Sequence, residues 1–378
     1  MTRGMDILSH SGRALPTARA TRPSIDALTG IRAVAAGWVV LFHFRTELVG
    51  LLPGLSPLMP FATAGRLGVD LFFILSGFIL AYNYADSFRS VRLGGYLRFL
   101  WLRLARIYPV HLFTLGVLVA IVCAARLAGL PVNPPERYSP GTLVANVLMV
   151  NAWAGMDLSW NYPAWSISAE WFAYLLFPFA ALALARTRST RVALAGAVAA
   201  LAAMYAVFVA FPGGWPFPAP LVRIGVEFAV GCLLCVVYRG GLGRTWPWPA
   251  IASGALVGSM VLGTWLESVG LPAIWAVPGL AVAILALARA EGGVLRRWLS
   301  SGHMVFLGQA SYALYMTHAI CQLVLAHVVP AAALDAGLTV RLGVVAGYAV
   351  VVTAAAVAVF RFVEEPARRW MRRQKWGR

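Results

Sequence analysis

The sequence predicts an all-α polytopic membrane protein with about ten transmembrane helices and a re-entrant or interfacial segment near 141–163. Three observations lead there. Of 378 residues, 60% are hydrophobic and only 12% are charged. The mean hydropathy of +0.76 exceeds what a soluble domain, which must cover itself with polar surface, can carry. Many apolar runs approach or exceed ~20 residues, the length of helix that crosses a bilayer. The net charge of +17 does not indicate nucleic-acid binding. The basic residues, all arginine except Lys375, lie in short clusters between apolar runs, as the positive-inside rule requires of a membrane protein.

Those clusters set the topology. Residues 1–24 are polar and carry Arg3, Arg13, Arg19 and Arg22, and are expected to form a disordered cytoplasmic tail. The first apolar run lacks a small-residue cleavage site and is read as a retained span. Spans over about 27–46 and 66–84 go out and return to Arg89, Arg92, Arg98, Arg103 and Arg106. A third, over about 108–128, goes out again. The next apolar piece is short, and a crossing there would leave Arg186, Arg188 and Arg191 outside. Residues 141–163 are therefore expected to dip in and return, which requires their backbone to be buried in protein or to line a cavity. Spans over about 164–185, 192–211, 221–238, 249–267, 271–289, 304–328 and 341–363 complete ten, with both termini inside. The membrane domain is drawn at 25–366, followed by a basic cytoplasmic tail at 367–378.

Several spans carry groups that hydrocarbon excludes. Arg32 and His43, eleven residues apart in the first, fall on one face of a helix. An ionisable residue in a spanning helix costs about 2.5–3.5 kcal/mol, so this stripe is expected to face a polar interior. Asp70 lies near the outer end of the second span and needs a partner, His43 or an arginine. Ser76 and Gly77 lie in the middle of that span and suit close helix packing. Arg103 and Arg106 share a face at the mouth of the third span, and gathered arginines suit phosphates through forked hydrogen bonds. Ser166 and Glu170 share a face beside Trp165, and Ser311, Tyr315 and His318 form a polar stripe on an apolar helix. Glu364 and Glu365 close the last span, where carboxylates oppose the helix dipole and call for arginine partners. Cys232 and Cys235 lie within an apolar run without a second ligand pair, so no metal site is assigned.

In this order, the pieces resemble the integral-membrane acyltransferase 3 family. The resemblance rests on Arg32 with His43, on GVDLFFILSGF at 68–78, on RLARIYP at 103–109, on WSISAE at 165–170, on SYALYMTH at 311–318 and on EEP at 364–366. It departs from the family at Thr29, where many members carry Asp, and it lacks the fused hydrolase-like domain of some members. The resemblance implies transfer of an acyl group, usually acetyl, from acyl-CoA to a hydroxyl of a carbohydrate, lipid or other natural product, with no tightly bound cofactor. His43 is then the candidate base, with Asp70 or Glu170 holding its tautomer. Arg32, Arg103 and Arg106 would bind the acyl-CoA, and Trp165, Ser166, Tyr315 and His318 would line the substrate site. Two other readings use the same residues: a transporter or flippase, and a relay subunit that passes its acyl group to a separate protein. The protein is expected in a bacterial plasma membrane.

Overall fold

The computed structural model describes residues 24–374 apart from 89, 154, 157, 188, 212–217 and 330–333. The expected tail at 1–24, beyond Ser24, thus lies outside the described residues, as does the end of the basic tail. The described residues form helices and connections, with no strand among them. The first half contains α1 (Asp26–Leu51), α2 (Met59–Thr63), α3 (Leu67–Tyr84), α4 (Leu93–Leu127), α5 (Pro140–Val147) and α6 (Ala164–Arg186). It continues through α7 (Thr190–Ala210), α8 (Ala219–Arg239), α9 (Trp248–Ser268), α10 (Val277–Arg289) and α11 (Val294–Leu299). The chain closes with α12 (Gly302–Val328), α13 (Leu338–Val359), a π turn at Phe360–Glu364, and α14 (Glu365–Arg373).

Each expected span is helical. Among the described residues eight segments, those containing α1, α3, α4, α6, α7, α8, α9 and α13, are long and apolar enough to cross a membrane. The other two depart from that standard for different reasons. The segment Ala273–Arg289 is short. α12 is long at 27 residues, but Gln309, Ser311, Tyr315, Thr317, His318 and Gln322 dilute its hydropathy. Side chains at the ends support the helices. Ser139, Ser189 and Ser301 accept hydrogen bonds from the backbone of Thr142, Val192 and Met304 at three N-termini. Arg186, Arg239 and Arg289 stand in last turns, where positive charge complements the dipole.

The segment around 141–163 does not cross. α5 has eight residues and so rises only ~12 Å. The chain after it turns through Met149 and Trp160, whose φ values of 54° and 48° are left-handed. Buried side chains satisfy its backbone, as non-helical chain at membrane depth demands. Buried His111 of α4 donates to the Asn146 carbonyl at 2.7 Å. Ser168 accepts from the Ala152 backbone at 3.1 Å, and its own carbonyl accepts from the Trp153 indole. Asn161 donates to the Met316 carbonyl of α12 at 3.0 Å.

Two backbone contacts fix the bundle. α3 crosses α8 where each helix presents a glycine to the other. A Cβ on Gly77 would stand 2.0 Å from the Phe228 carbonyl oxygen, and one on Gly231 would stand 1.9 Å from that of Ile74. Cys232 donates to the Gly77 carbonyl at this crossing. α1 meets α12 in the same way, with Gly308 against the Thr29 carbonyl. Such small-residue seams replace the hydrophobic drive that lipid cannot supply. Gly231→Ala must push α3 and α8 apart, so thermal unfolding of the detergent-purified variant should show a loss of about 1–3 kcal/mol. Gly225→Ala in the same helix, with nothing within 4 Å of its Cβ, should unfold at or above the wild-type temperature. Equal stability of the two variants would refute this account of the crossing.

Candidate active site

A cavity of about 1360 Å³ opens beside the N-terminal ends of α1 and α4, the C-terminal end of α3 and the inner face of α14. Its lining on α3 runs from Val69 to Tyr84, which at 1.5 Å per residue is a depth of ~22 Å. Six arginines line it (Arg32, Arg98, Arg103, Arg106, Arg368 and Arg372), against the carboxylates Asp86 and Glu170. Its inner end is closed by Tyr315 and Ser166, with the Ser166 hydroxyl donating to the Tyr315 oxygen at 2.8 Å.

The lining arginines are held differently. Arg106 forms an ion pair with Glu364 of the π turn, a carboxylate only 1% exposed, and Arg368 approaches the same carboxylate at 3.7 Å. Arg103 donates to the Tyr84 hydroxyl at 2.9 Å and lies over the rings of Tyr84, Phe99 and Tyr174. Arg32 lies 5.9 Å from the centre of the Phe72 ring, and its Nε is buried without a partner. Among the described residues no carboxylate pairs with Arg32. Glu170 sits on the opposite wall. One of its oxygens accepts from both Ser76 and Tyr174, each at 2.6 Å. Ser76 thus serves the site, while Gly77 beside it serves packing.

Beyond Tyr315 lies a second polar cluster. The His43 ring lies tilted, 4.9 Å from that of His318 and 4.7 Å from that of Tyr162. His318, fully buried, donates its Nδ1 proton to the Tyr315 carbonyl at 2.6 Å. That bond fixes the tautomer of the neutral ring and leaves its Nε2, which is buried without a partner, as a bare acceptor. Gln322 donates to the His43 carbonyl at 2.8 Å and to Glu47 at 2.6 Å, while accepting from the Tyr162 hydroxyl.

The structure therefore divides the expected site. Arg32, Arg103, Arg106, Glu170, Ser166 and Tyr315 come together on the cavity wall. His43 and His318 pair on the far side of Tyr315. Asp70 joins neither group: it pairs at 2.6 Å with Arg223 of α8, so of the two partners expected for it the arginine is the one present. Glu170 is likewise committed to Ser76 and Tyr174, so neither carboxylate holds the His43 ring. The physical reason is depth: Arg223 enters at the level of Asp70 and satisfies it first. Trp165 packs on Phe73 and under the Arg223 guanidinium, away from the cavity wall.

Sequence reasoning missed Arg223 and Glu227, although an ionisable pair four residues apart inside an apolar run was a usable signal. Glu227 is fully buried, and neither of its oxygens has a hydrogen-bond partner. It also missed Tyr84 and Tyr174, which look like ordinary aromatic packing until Arg103 and Glu170 are placed against them.

The acyltransferase domain family matches residues 25–361, which include His43, His318 and all of the cavity lining except Arg368 and Arg372. The chain belongs to the integral-membrane acyltransferase 3 family. Acyltransferase MdmB of Streptomyces mycarofaciens is 32% identical over 322 residues, covering 78% of this chain and 78% of its own length. Protein 2 in the picA locus of Rhizobium radiobacter is 32% identical over 155 residues, covering 38% of this chain and 75% of that protein. No solved structure matches. This chain is accordingly a membrane acyltransferase, and the two clusters are its candidate catalytic and binding apparatus.

The buried acyltransferase pair Arg106–Glu364 generates a stability prediction. Arg106→Ala leaves a buried carboxylate with only the more distant Arg368, and should cost about 3 kcal/mol of stability. Arg106→Met combined with Glu364→Gln removes both charges and should recover most of that loss in thermal unfolding. A double variant no more stable than Arg106→Ala would show that the pair is not what holds these segments.

Proposed function

We propose that this acyltransferase moves an acyl group, acetyl as the first candidate, from acyl-CoA to a hydroxyl of a carbohydrate, glycolipid or other natural product. The single observation that carries the reading is the shape and charge of the cavity. It is ~22 Å deep, cationic at the mouth and closed at the inner end by neutral hydroxyls. A long molecule with phosphates at one end and a neutral reactive group at the other matches that gradient. Arginine at the mouth meets phosphate oxygens, and the pantetheine arm runs inward along Ser76, Glu170 and Tyr312 toward Tyr315.

Reaction follows at the far side of Tyr315. The His43 imidazole takes the proton of the acceptor hydroxyl, whose oxygen attacks the thioester carbonyl carbon. The carbon–oxygen bond forms, the carbon–sulfur bond breaks, and the CoA thiolate recovers the proton from the imidazolium. The same ring could receive the acyl group first and hand it on, which leaves the balance unchanged. Donor and acceptor would then enter from opposite ends of the bundle, with the acyl group passing the Tyr315 position between them. With the arginine-rich connections inside, the cavity mouth faces the cytoplasm of a bacterial plasma membrane, where acyl-CoA is made.

The test is acetyl-CoA binding and turnover in detergent. Arg32 is the informative arginine, because among the described residues no carboxylate is ion-paired with it. Arg32→Ala should weaken acetyl-CoA binding about tenfold or more while leaving thermal unfolding unchanged, as expected for a lost charge-assisted hydrogen bond. His43→Ala should bind acetyl-CoA as wild type does and release no CoA when acceptor is supplied. Failure of the folded wild type to bind acetyl-CoA would overturn the donor assignment. Undiminished transfer by His43→Ala would remove that residue from the chemistry.

A further inference from the structure

We propose that α14, which lies beyond the family match ending at residue 361, completes the donor site. On this reading Arg372, with Arg368, receives the ribose 3′-phosphate of coenzyme A. The proposal rests on acyl-CoA being the donor.

The position of α14 follows from two bonds to α4. Glu364, just before α14, pairs with Arg106, and the Trp101 indole donates to the Met371 carbonyl at 2.8 Å. The two helices thus run antiparallel, with the Glu364–Arg106 level inward and the Met371–Trp101 level toward the mouth. Arg372 follows Met371 and so stands at the outer rim, near the end of α4 that carries Arg98, while Arg368 lies one turn deeper. Both are on the cavity wall. The helix is fixed there by buried Met371 and Glu364.

The sides of α14 carry different charges. Arg369 points outward and pairs with Glu365 at 2.5 Å. Arg372 lines the cavity and, among the described residues, has no hydrogen bond or ion pair; Arg98, which lines the same cavity, has none either. Unpartnered guanidiniums lining one cavity repel, an arrangement stabilised by an anion among them. Coenzyme A supplies its charges in a fixed order from the thiol: the diphosphate first, then the 3′-phosphate on the ribose. With the thioester inward at Tyr315, the diphosphate reaches the level of Arg32, Arg103 and Arg106, and the 3′-phosphate reaches the rim. The deeper arginines therefore read a feature shared by many nucleotides, and the rim reads the one group that distinguishes coenzyme A from its dephospho form.

Calorimetric titration with CoA and with dephospho-CoA, which lacks only the 3′-phosphate, tests this on the full chain in detergent. The wild type should bind CoA about tenfold more tightly than dephospho-CoA, the effect of one charge-assisted contact. Arg372→Gln should lose that preference by weakening CoA alone, with unchanged thermal unfolding. Arg369→Gln on the outer side should keep it. A preference that survives in Arg372→Gln overturns the assignment, and so does a wild type that binds both ligands equally. If Arg372→Gln instead binds CoA normally but retains less phosphatidylglycerol than wild type through purification, the arginine belongs to a lipid headgroup and the proposal fails. A folded wild type that binds neither nucleotide overturns the acyl-CoA reading itself and this proposal with it.

Discussion

The structure depends on one constraint: a guanidinium or carboxylate in hydrocarbon must turn inward and find either a counter-charge or water. Arg106 of α4 and Glu364 after α13 meet this constraint together, and their pairing ties the third expected span to the last one. It also folds α14 back along α4 and builds one wall of the cavity. Asp70 and Arg223 do the same between α3 and α8, where the glycine contacts already hold the two backbones together. The ion pairs and the glycine seams are complementary. Close packing removes the room for water, and so raises the cost of any charge left unpaired.

On the proposed function, the two polar clusters would serve a donor and an acceptor that enter from different ends of the bundle. Tyr315 stands between them, bonded through its hydroxyl to Ser166 and through its carbonyl to His318. One residue is therefore linked to the inner end of the cavity and to the tautomer of the buried histidine.

Much of this was legible in the sequence. The span positions follow from hydropathy, and the re-entrant segment follows from where Arg186, Arg188 and Arg191 had to lie. Charged residues in apolar runs marked Arg32, Arg103, Arg106 and Glu170, and all four reach the same cavity. What was not legible is who pairs with whom. Periodicity places a residue on a face but not at a depth relative to another helix, and depth decided that Asp70 meets Arg223 rather than His43. The Glu364–Arg106 pair joins residues 258 positions apart, a distance over which no local pattern carries information. Arg223 and Glu227 were within reach of the same charge argument that found Arg32.

The arginines of the cavity sort by partner, and the sorting separates structure from ligand binding. Arg106 neutralises a buried carboxylate, so its charge is largely spent before any ligand arrives. Arg103 is oriented by a hydroxyl and three aromatic rings, contacts that fix its direction without cancelling its charge. Arg32, Arg98 and Arg372 have no carboxylate partner among the described residues. A cation kept in a closed protein environment without an anion destabilises the fold, and the fold tolerates it only where water or a ligand can reach it. The unpartnered three are thus the residues whose charge remains for an incoming anion. They lie along the cavity from its rim inward, so the field they create favours an anion along its length.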